Sequence, residues 1–299
     1  MLNIVGHKKI WFTISILLVG IAVVAIAAFG FQESAELKGG TLWELKVPGQ
    51  NLSAAAVQTF FQNSLHVPDA QVTVDNGNQS FLVVFGSVSE TVHQQYISEL
   101  TAQWPSFQEL SFQSISSSVG ANLRNASIIG ILLVLIGISL YIAFAFRKAS
   151  RPISSWKYGW ITLMTLFHDV AIPAGMLAIL GHYMNVQLNS DIIVALLVVM
   201  GFSVHDTIVV FDRIRENLLN HRGKMPFATI VNDSVNQTLA RSINTSLTLI
   251  LVLLSLYFVG PADLKYFVLT LLVGVTTGIY SSIFIASPAL VATSRNESV

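Results

Sequence analysis

The sequence has no cysteine and few charged residues. Only 11% of its 299 residues are Asp, Glu, Lys or Arg, whereas a soluble domain carries roughly 25%. The missing cysteines exclude disulfide bonds and thiolate metal sites. The formal net charge is zero, so no bulk positive field indicates a nucleic-acid partner. Apolar residues, in contrast, make up 53% of the chain, which indicates an integral membrane protein.

Six apolar stretches are long enough to cross a bilayer, which requires about 20 apolar residues in a helix. They occupy residues 10–29, 127–146, 158–180, 192–211, 242–259 and 266–287. The first stretch contains Ala25-Ile26-Ala27, which resembles a signal-peptide cleavage site. Its apolar core exceeds the roughly 7–15 residues of a signal peptide. We therefore predict an uncleaved anchor, with a cleaved signal peptide as the alternative.

Positive charge is concentrated on one side of these spans. The short loops of the other side carry only Lys265, so the positive-inside rule predicts that both termini are cytoplasmic. The cytoplasmic side carries Lys8, Lys9, Arg147, Lys148, Arg151, Lys157, Arg213, Arg215, Arg222, Lys224, Arg241 and Arg295. The predicted segments are a cytoplasmic N-terminus at 1–9, a first transmembrane helix at 10–30, an extracytoplasmic domain at 31–126, transmembrane helices 2–6 at 127–292 with cytoplasmic loops at 147–157 and 212–241, and a cytoplasmic C-terminus at 293–299.

The extracytoplasmic segment reads as alternating strands and helices. Residues 41–47 alternate with period two and place Trp43, Leu45 and Val47 on one face. Ser53 and Ser89 are predicted to cap two helices. The other predicted elements are a helix to about Leu65, strands at 71–75 and 81–85 around the turn Asn76-Gly77-Asn78, a helix with the stripe Val92, Tyr96, Leu100 and Trp104, a strand in which Leu110 and Phe112 alternate with polar residues, and a serine linker at 114–118.

This order, β-α-β-β-α-β, predicts a ferredoxin-like domain. The expected fold is therefore a membrane all-α six-span bundle with an inserted extracytoplasmic α+β ferredoxin-like domain.

Three of the predicted spans carry polar or ionisable side chains. An Asp at a helix centre costs about 2.5–3.5 kcal/mol on insertion scales, so such groups usually face protein or water. The helical period places Ser203, Asp206 and Thr207 in one patch of the fourth span. The third span carries His168 and Asp169. On the fifth span, one stripe contains Gln237, Arg241, Asn244, Thr245 and Thr248.

We interpret these groups as a proton path. Desolvation would favour neutral Asp206 and a neighbouring Arg241 would favour the carboxylate, so access to water could switch its protonation. His168 and Asp169 are further groups able to carry a proton. Three alternatives stay open: Asp206 and Arg241 form a static buried ion pair, Arg241 only snorkels to the interface, or His168 is a satisfied interior histidine.

Enzyme motifs are missing from the sequence. It has no HExxH, no GxSxG and no phosphate-binding loop, and His168 and His205 lie on separate spans without metal-ligand spacing. We therefore predict no enzyme activity, no metal and no cofactor. An intramembrane protease stays an alternative, because a membrane Asp or a Ser–His pair needs only spatial proximity.

Several motifs resemble one known family. The stretch GFSVHDTIVVFDRIREN, which begins at Gly201 and includes Thr207, closely resembles the fourth-span signature of the SecF branch of the SecD/SecF family. Lys38-Gly39-Gly40-Thr41 looks like its double-glycine motif, and the pair at 168–169 matches its third span. Residues 237–246 are similar to the start of its fifth span, and the resemblance extends along essentially the whole chain.

The resemblance implies an accessory subunit of protein export in the cytoplasmic (inner) membrane. Its implied partners are a SecD-like six-span subunit, the SecYEG channel and the translocating polypeptide, with a proton or sodium gradient as the driving force. By position, Asp206 would be the central carboxylate, Arg241 its basic modulator, and His168 and Asp169 nearby groups. One departure is His205, because this family commonly has Asn there. The resemblance also implies membership of the resistance-nodulation-division type superfamily. The alternatives are a half-transporter of that superfamily for small molecules or lipids, and a static scaffold of an export channel.

Overall fold

The structure is a computed structural model that describes residues 2–49, 51–75, 79–146, 154–221 and 225–294. The predicted turn at 76–78, the C-terminal residues 295–299 and the basic residues Arg147, Lys148, Arg151, Arg222 and Lys224 lie outside these ranges. The chain divides into two compact units. We call Met1–Gln32, Ile129–Val186 and Asp191–Val299 the helical unit, and Glu33–Ile128 with Gln187–Ser190 the α+β unit.

Six helices of the described chain are long and apolar enough to cross a membrane, which confirms the predicted number of spans. The long helices are α1 (Lys8–Phe29), α5 (Ser117–Ala145), α6 (Ser155–Met184), α7 (Ser190–His221), α8 (Phe227–Val259) and α9 (Lys265–Ser281), the last followed by a π-helical turn at Ser282–Ala286 and by α10 (Ser287–Thr293). Short 3₁₀ turns occupy Val5–His7 and Ala262–Leu264.

Helices α7 and α8 extend beyond their apolar runs. Hydropathy places a loop at 212–241, whereas helix continues to His221 and resumes at Phe227. These extensions are amphipathic: Ile214, Val231 and Val235 are buried in the main hydrophobic core of the helical unit. Because the polar residues of the extensions lower the local hydropathy, the apolar runs mark only the part of each helix that suits lipid.

Close packing in the helical unit depends on small residues. A Cβ atom on Gly175 of α6 would lie 2.5 Å from the Cα atom of Ala22 on α1. The two helices therefore approach with backbone nearly in contact, as small residues allow in membrane helices. On the outer surfaces, large apolar side chains are exposed, such as Phe258 at 78% and Val259 at 87%, which suits contact with lipid.

The α+β unit has the predicted ferredoxin-like topology. Its four antiparallel strands are β1 (Gly40–Lys46), β2 (Gln71–Asp75), β3 (Ser80–Phe85) and β4 (Gln108–Ile115), and their order in the sheet is β2-β3-β1-β4. Ser53 accepts a hydrogen bond from Ala56 N and Ser89 from Val92 N, which confirms both predicted caps. The helices of this unit are α2 (Ala35–Lys38) before β1, α3 (Ala54–Asn63) between β1 and β2, and α4 (Glu90–Gln103) between β3 and β4.

The core of this unit confirms the alternation predicted for β1. Trp43 and Leu45 are fully buried and Val47 is nearly so. The face predicted for α4 missed His93, which is buried, stacks on Phe112 and lies 2.7 Å from Glu109.

The predicted last strand is confirmed as β4, and one further expectation for this unit was wrong. Leu110 is 46% exposed, because β4 is an edge strand whose register with β1 shifts between Glu44 and Leu45. The serine run at 114–118 is not a linker, since Ser114 belongs to β4 and α5 begins at Ser117. The Ser114 hydroxyl also bonds the backbone of Val88, which ties this part of the run to the sheet.

The double glycine allows a close backbone approach. Gly39 has a φ of +81°, and a Cβ atom there would lie 2.4 Å from the Cα atom of Ser117. A Cβ atom on Gly40 would lie 2.9 Å from the carbonyl oxygen of Phe85. The approach is equally close at Gly120, where an added Cβ atom would lie 2.6 Å from Gly39 N. The motif therefore lets the turn before β1 pack against the first turn of α5.

We predict that Gly39→Ala destabilises the protein strongly, by about 3 kcal/mol or more, because it combines backbone strain with a collision. Gly49→Ala is a matched control, since Gly49 has a φ of +79° but no atom within 4 Å of its added Cβ. It should cost only about 1 kcal/mol. Thermal unfolding of the full chain in detergent measures both variants, and equal melting temperatures would contradict the packing role of Gly39.

Candidate functional site

The carboxylate of Asp169 is fully buried in the helical unit. Its Oδ1 atom lies 2.8 Å from His168 Nδ1. Its Oδ2 atom accepts hydrogen bonds from the hydroxyl groups of Ser203 and Ser281, each at 2.5 Å. These partners come from α6, α7 and α9, so one carboxylate joins three helices.

The ring of His168 is buried beside this carboxylate. It stacks on Tyr280, with ring centroids 6.0 Å apart, and the Tyr280 hydroxyl donates to the backbone carbonyl of Trp11. The second ring nitrogen, Nε2, is buried and has no hydrogen-bond partner among the described residues. His168 is therefore an interior histidine with only one of its two ring nitrogens hydrogen-bonded. The other nitrogen stays available for a proton or a partner.

The second carboxylate, Asp206, is 6% exposed and less completely bonded. Ser242 of α8 and Ser282 of the π-helical turn lie within interaction distance of it. Within the described chain, however, Asp206 Oδ2 and the Ser242 hydroxyl have no hydrogen bond of good geometry. The Ser282 hydroxyl is also 3.0 Å from that of Thr207. Asp206 therefore faces several hydroxyl groups without being locked to any one of them.

Arg241 does not pair with Asp206 as expected. Among the described residues, the ion pairs of the helical unit include none between these two side chains. Arg241 is exposed and lines a cavity of about 380 Å³ between α7 and α8. Its neighbours there include Asp212, Arg213 and Glu216. The static ion pair is thus wrong in this structure, and Ser242, the next residue along α8, takes the place beside Asp206.

The predicted polar stripe of α8 faces outward. Arg241, Asn244 and Thr245 are all exposed, whereas Ser242 and Ser246 are buried. Consecutive helical residues differ by about 100°, so the inward face lies one residue away from the predicted one. Small hydroxyl side chains occupy this inward face, because they fit where helices approach closely.

Sequence reasoning missed the contribution of the sixth span. We call His168, Asp169, Ser203, Asp206 and Thr207 the polar cluster. Tyr280, Ser281 and Ser282 all contact it, yet this span carries no charge in its apolar run. The available signal was the stretch 276–282, in which five of seven residues carry a hydroxyl group: Thr276, Thr277, Tyr280, Ser281 and Ser282. The π-helical turn begins at Ser282, and Ser287 Oγ donates to the Ser282 carbonyl. Such turns frequently occur at functional sites.

Two other motif residues lie on the outer face of α7. His205 and Gly201 are exposed, and no atom lies within 4 Å of a Cβ added to Gly201. Neither residue lines the polar cluster, whereas Thr207 is buried within it. The described residues contain no group of three or more His, Asp or Glu side chains that could hold a metal ion.

Comparison with known proteins gives consistent matches. Residues 95–296 match the family described as protein export membrane protein SecD/SecF, C-terminal. The chain is 40% identical to the protein translocase subunit SecF of Thermobaculum terrenum, over 98% of this chain and 94% of that protein. It is 33% identical to the protein translocase subunit SecDF of Thermus thermophilus, over 97% of this chain but only 38% of that protein.

A solved structure agrees with these matches. The crystal structure of SecDF from Thermus thermophilus, a translocon-associated membrane protein, superposes with a TM-score of 0.83 at 32% identity. The match covers 99% of this chain and 39% of the SecDF chain. The chain thus spans nearly all of the SecF relative and about two fifths of the SecDF proteins.

We predict that Ser281→Ala lowers the unfolding free energy by about 1–3 kcal/mol, because it removes a donor from a buried carboxylate. Ser255→Ala is the matched control, since the exposed Ser255 hydroxyl bonds only the Leu251 carbonyl of its own helix. Thermal unfolding in detergent compares the two. If both variants melt at the wild-type temperature, the Ser281 hydroxyl does not support Asp169.

Proposed function

Because the chain belongs to the SecD/SecF family of protein export membrane proteins, we propose that it couples ion flow through the membrane to late steps of polypeptide translocation. The coupling ion is a proton, with sodium as the variant. The observation that carries this proposal is the pair of buried carboxylates, Asp169 and Asp206, on neighbouring helices of a membrane bundle. Ionisable residues inside membrane spans usually mark ion pathways.

The contacts of these carboxylates support a relay. One network joins His168 and Asp169 to Ser203 and Ser281. A second network places Asp206 beside Ser242, Ser282 and Thr207. The two networks adjoin, because Ser281 precedes Ser282 and because Ser203 and Thr207 are one helical turn apart on α7. Hydroxyl groups both donate and accept, so they can pass a proton between acids.

The cavity beside Arg241 supplies the cytoplasmic end of the proposed path. Val209 lines it and lies three residues after Asp206 on α7, about 4.5 Å along the helix. We assign Arg241 the role of modulating Asp206 from this mouth, since its guanidinium cannot lose its proton. With the Arg241 cavity at the cytoplasmic side of the inner membrane, both termini are also cytoplasmic, and residues 31–126 lie on the extracytoplasmic side.

A SecD-like subunit is the first partner, because the SecDF relatives carry both parts in one chain. The exposed polar residues Asn244, Thr245 and Thr248 on α8 support such a partner. Polar groups within a membrane span usually face protein or water rather than lipid. The SecYEG channel and the translocating polypeptide complete the proposed assembly.

We predict that Asp206→Asn lowers proton-dependent export by at least about tenfold, because an amide cannot take up and release the proton. Asp263→Asn is the control, since Asp263 is exposed in the 3₁₀ turn at Ala262–Leu264 and does not line the cavity beside Arg241. Export into inverted membrane vesicles, normalised to the assembled protein, measures both variants. Export at the wild-type rate by assembled Asp206→Asn would refute the ion path.

Arg241→Met tests the basic modulator separately. We expect a lower proton-dependent export rate with an unchanged melting temperature, because Arg241 is exposed and makes no ion pair with Asp206 within the described chain. Arg241→Lys keeps the positive charge and should retain most of the rate. If Arg241→Met exports normally, only the snorkelling interpretation remains.

A further inference from the structure

The segment before α1 is bound to the cytoplasmic extension of α8. We call Leu2–His7 the N-terminal strap. Within it Ile4 and Val5 are only 2% and 7% exposed, and both belong to the main hydrophobic core of the helical unit. The same core contains Val231 and Val235 of α8. The strap is therefore part of the packed unit.

Two asparagines of α8 recognise the backbone of the strap. Asn232 Oδ1 accepts hydrogen bonds from the N–H groups of Ile4 and Val5, at 3.0 and 3.3 Å. Asn236 Oδ1 accepts from Leu2 N at 2.9 Å. Both asparagines also donate from Nδ2 to the Leu2 carbonyl, at 3.0 and 2.9 Å. A primary amide can do this because it offers a donor and an acceptor on one rigid group.

The strap bears on the proposed ion path through the placement of α8. Helix α8 brings Ser242 beside Asp206, but along its apolar stretch only Ser242, Ser246 and Leu253 are buried. Its other buried residues belong to the extension, in which Val231 and Val235 share a core with Ile4 and Val5 of the strap: Ile230, Val231, Ser234, Val235 and Thr238. Asn236 is six residues from Ser242, about 9 Å along the helix.

We propose that Asn232 and Asn236 are positioning residues, which clamp the N-terminal strap and thereby hold α8 with Ser242 facing Asp206. The inference rests on the proposed function, because it assigns the clamp to the same ion path. The side-chain amides form hydrogen bonds with backbone groups of residues 2, 4 and 5, so the clamp fixes the position of the strap. Burial of the apolar side chains of Ile4 and Val5 strengthens the binding of the strap to α8.

The test compares Asn232→Leu/Asn236→Leu with Asn220→Leu, which makes the same change at an exposed position near the end of α7. We expect the double variant to lose about fivefold or more of its proton-dependent export per assembled molecule, the scale of one lost net hydrogen bond. It should also need a steeper proton gradient for half-maximal export. A purely structural role would lower the amount of assembled protein and leave the gradient dependence unchanged.

A cross-link provides the rescue. The chain has no cysteine, so Leu2→Cys/Asn236→Cys introduces the only two thiols. Reduced, this variant should export poorly. Joined by a disulfide or a short thiol cross-linker, it should recover the wild-type gradient dependence. Failure of the two thiols to join, or a joined form that exports no better, would overturn the clamp.

The two proposals fail in different ways. Normal export by Asp206→Asn would refute the ion path. Normal export by Asn232→Leu/Asn236→Leu together with a defective Asp206→Asn would refute the clamp alone.

Discussion

The buried carboxylate of Asp169 imposes the strongest constraint on the helical unit. A charge removed from water must find its hydrogen bonds within the protein, because each unmet bond costs about 1–3 kcal/mol or more. Its partners His168, Ser203 and Ser281 lie on three helices, so satisfying one group sets the rotation of all three. The close contact of Gly278 with Ser203, 3.4 Å from an added Cβ, follows from this arrangement. One turn earlier on α9, a Cβ atom added to Gly274 would collide with the Val199 side chain of α7, so the close approach of these helices depends on glycine there.

Asp206 contrasts with Asp169 although both are acids within membrane helices. Both oxygens of Asp169 are bonded, while Oδ2 of Asp206 has no hydrogen bond among the described residues. A fully bonded carboxylate resists change, because any movement breaks several bonds at once. A partly bonded carboxylate can exchange partners at little cost. In the ion path that we propose, this difference assigns Asp169 the role of an anchor and Asp206 the role of gaining and losing a proton. The π-helical turn places Ser282 beside Asp206.

Much of this arrangement could be predicted from the sequence. Hydropathy located the six spans, the helical period grouped Ser203, Asp206 and Thr207, and serine caps with strand alternation gave the ferredoxin-like order. The inward face of α8 could not be predicted, because Arg241 and Ser242 are adjacent. The charge of Arg241 made it the expected partner of Asp206, whereas Ser242 lies there. Ser281 and Ser282 were missed because small hydroxyl residues in an apolar span look like ordinary packing residues. The N-terminal strap lacks any periodic pattern, since its amide clamp recognises backbone.

The outward polar stripe of α8 has a consequence for the site itself. Arg241, Asn244 and Thr245 are exposed on a helix long and apolar enough to span a membrane, where an uncovered Arg or Asn is unfavourable. Their cover must therefore come from other protein or from water. The chain spans only 39% of the solved SecDF protein, and in the assembly that we propose a SecD-like subunit provides that cover. Arg241 would then lie between this partner and the cavity near Asp206, where a change in the partner's packing would alter the charge that Asp206 experiences.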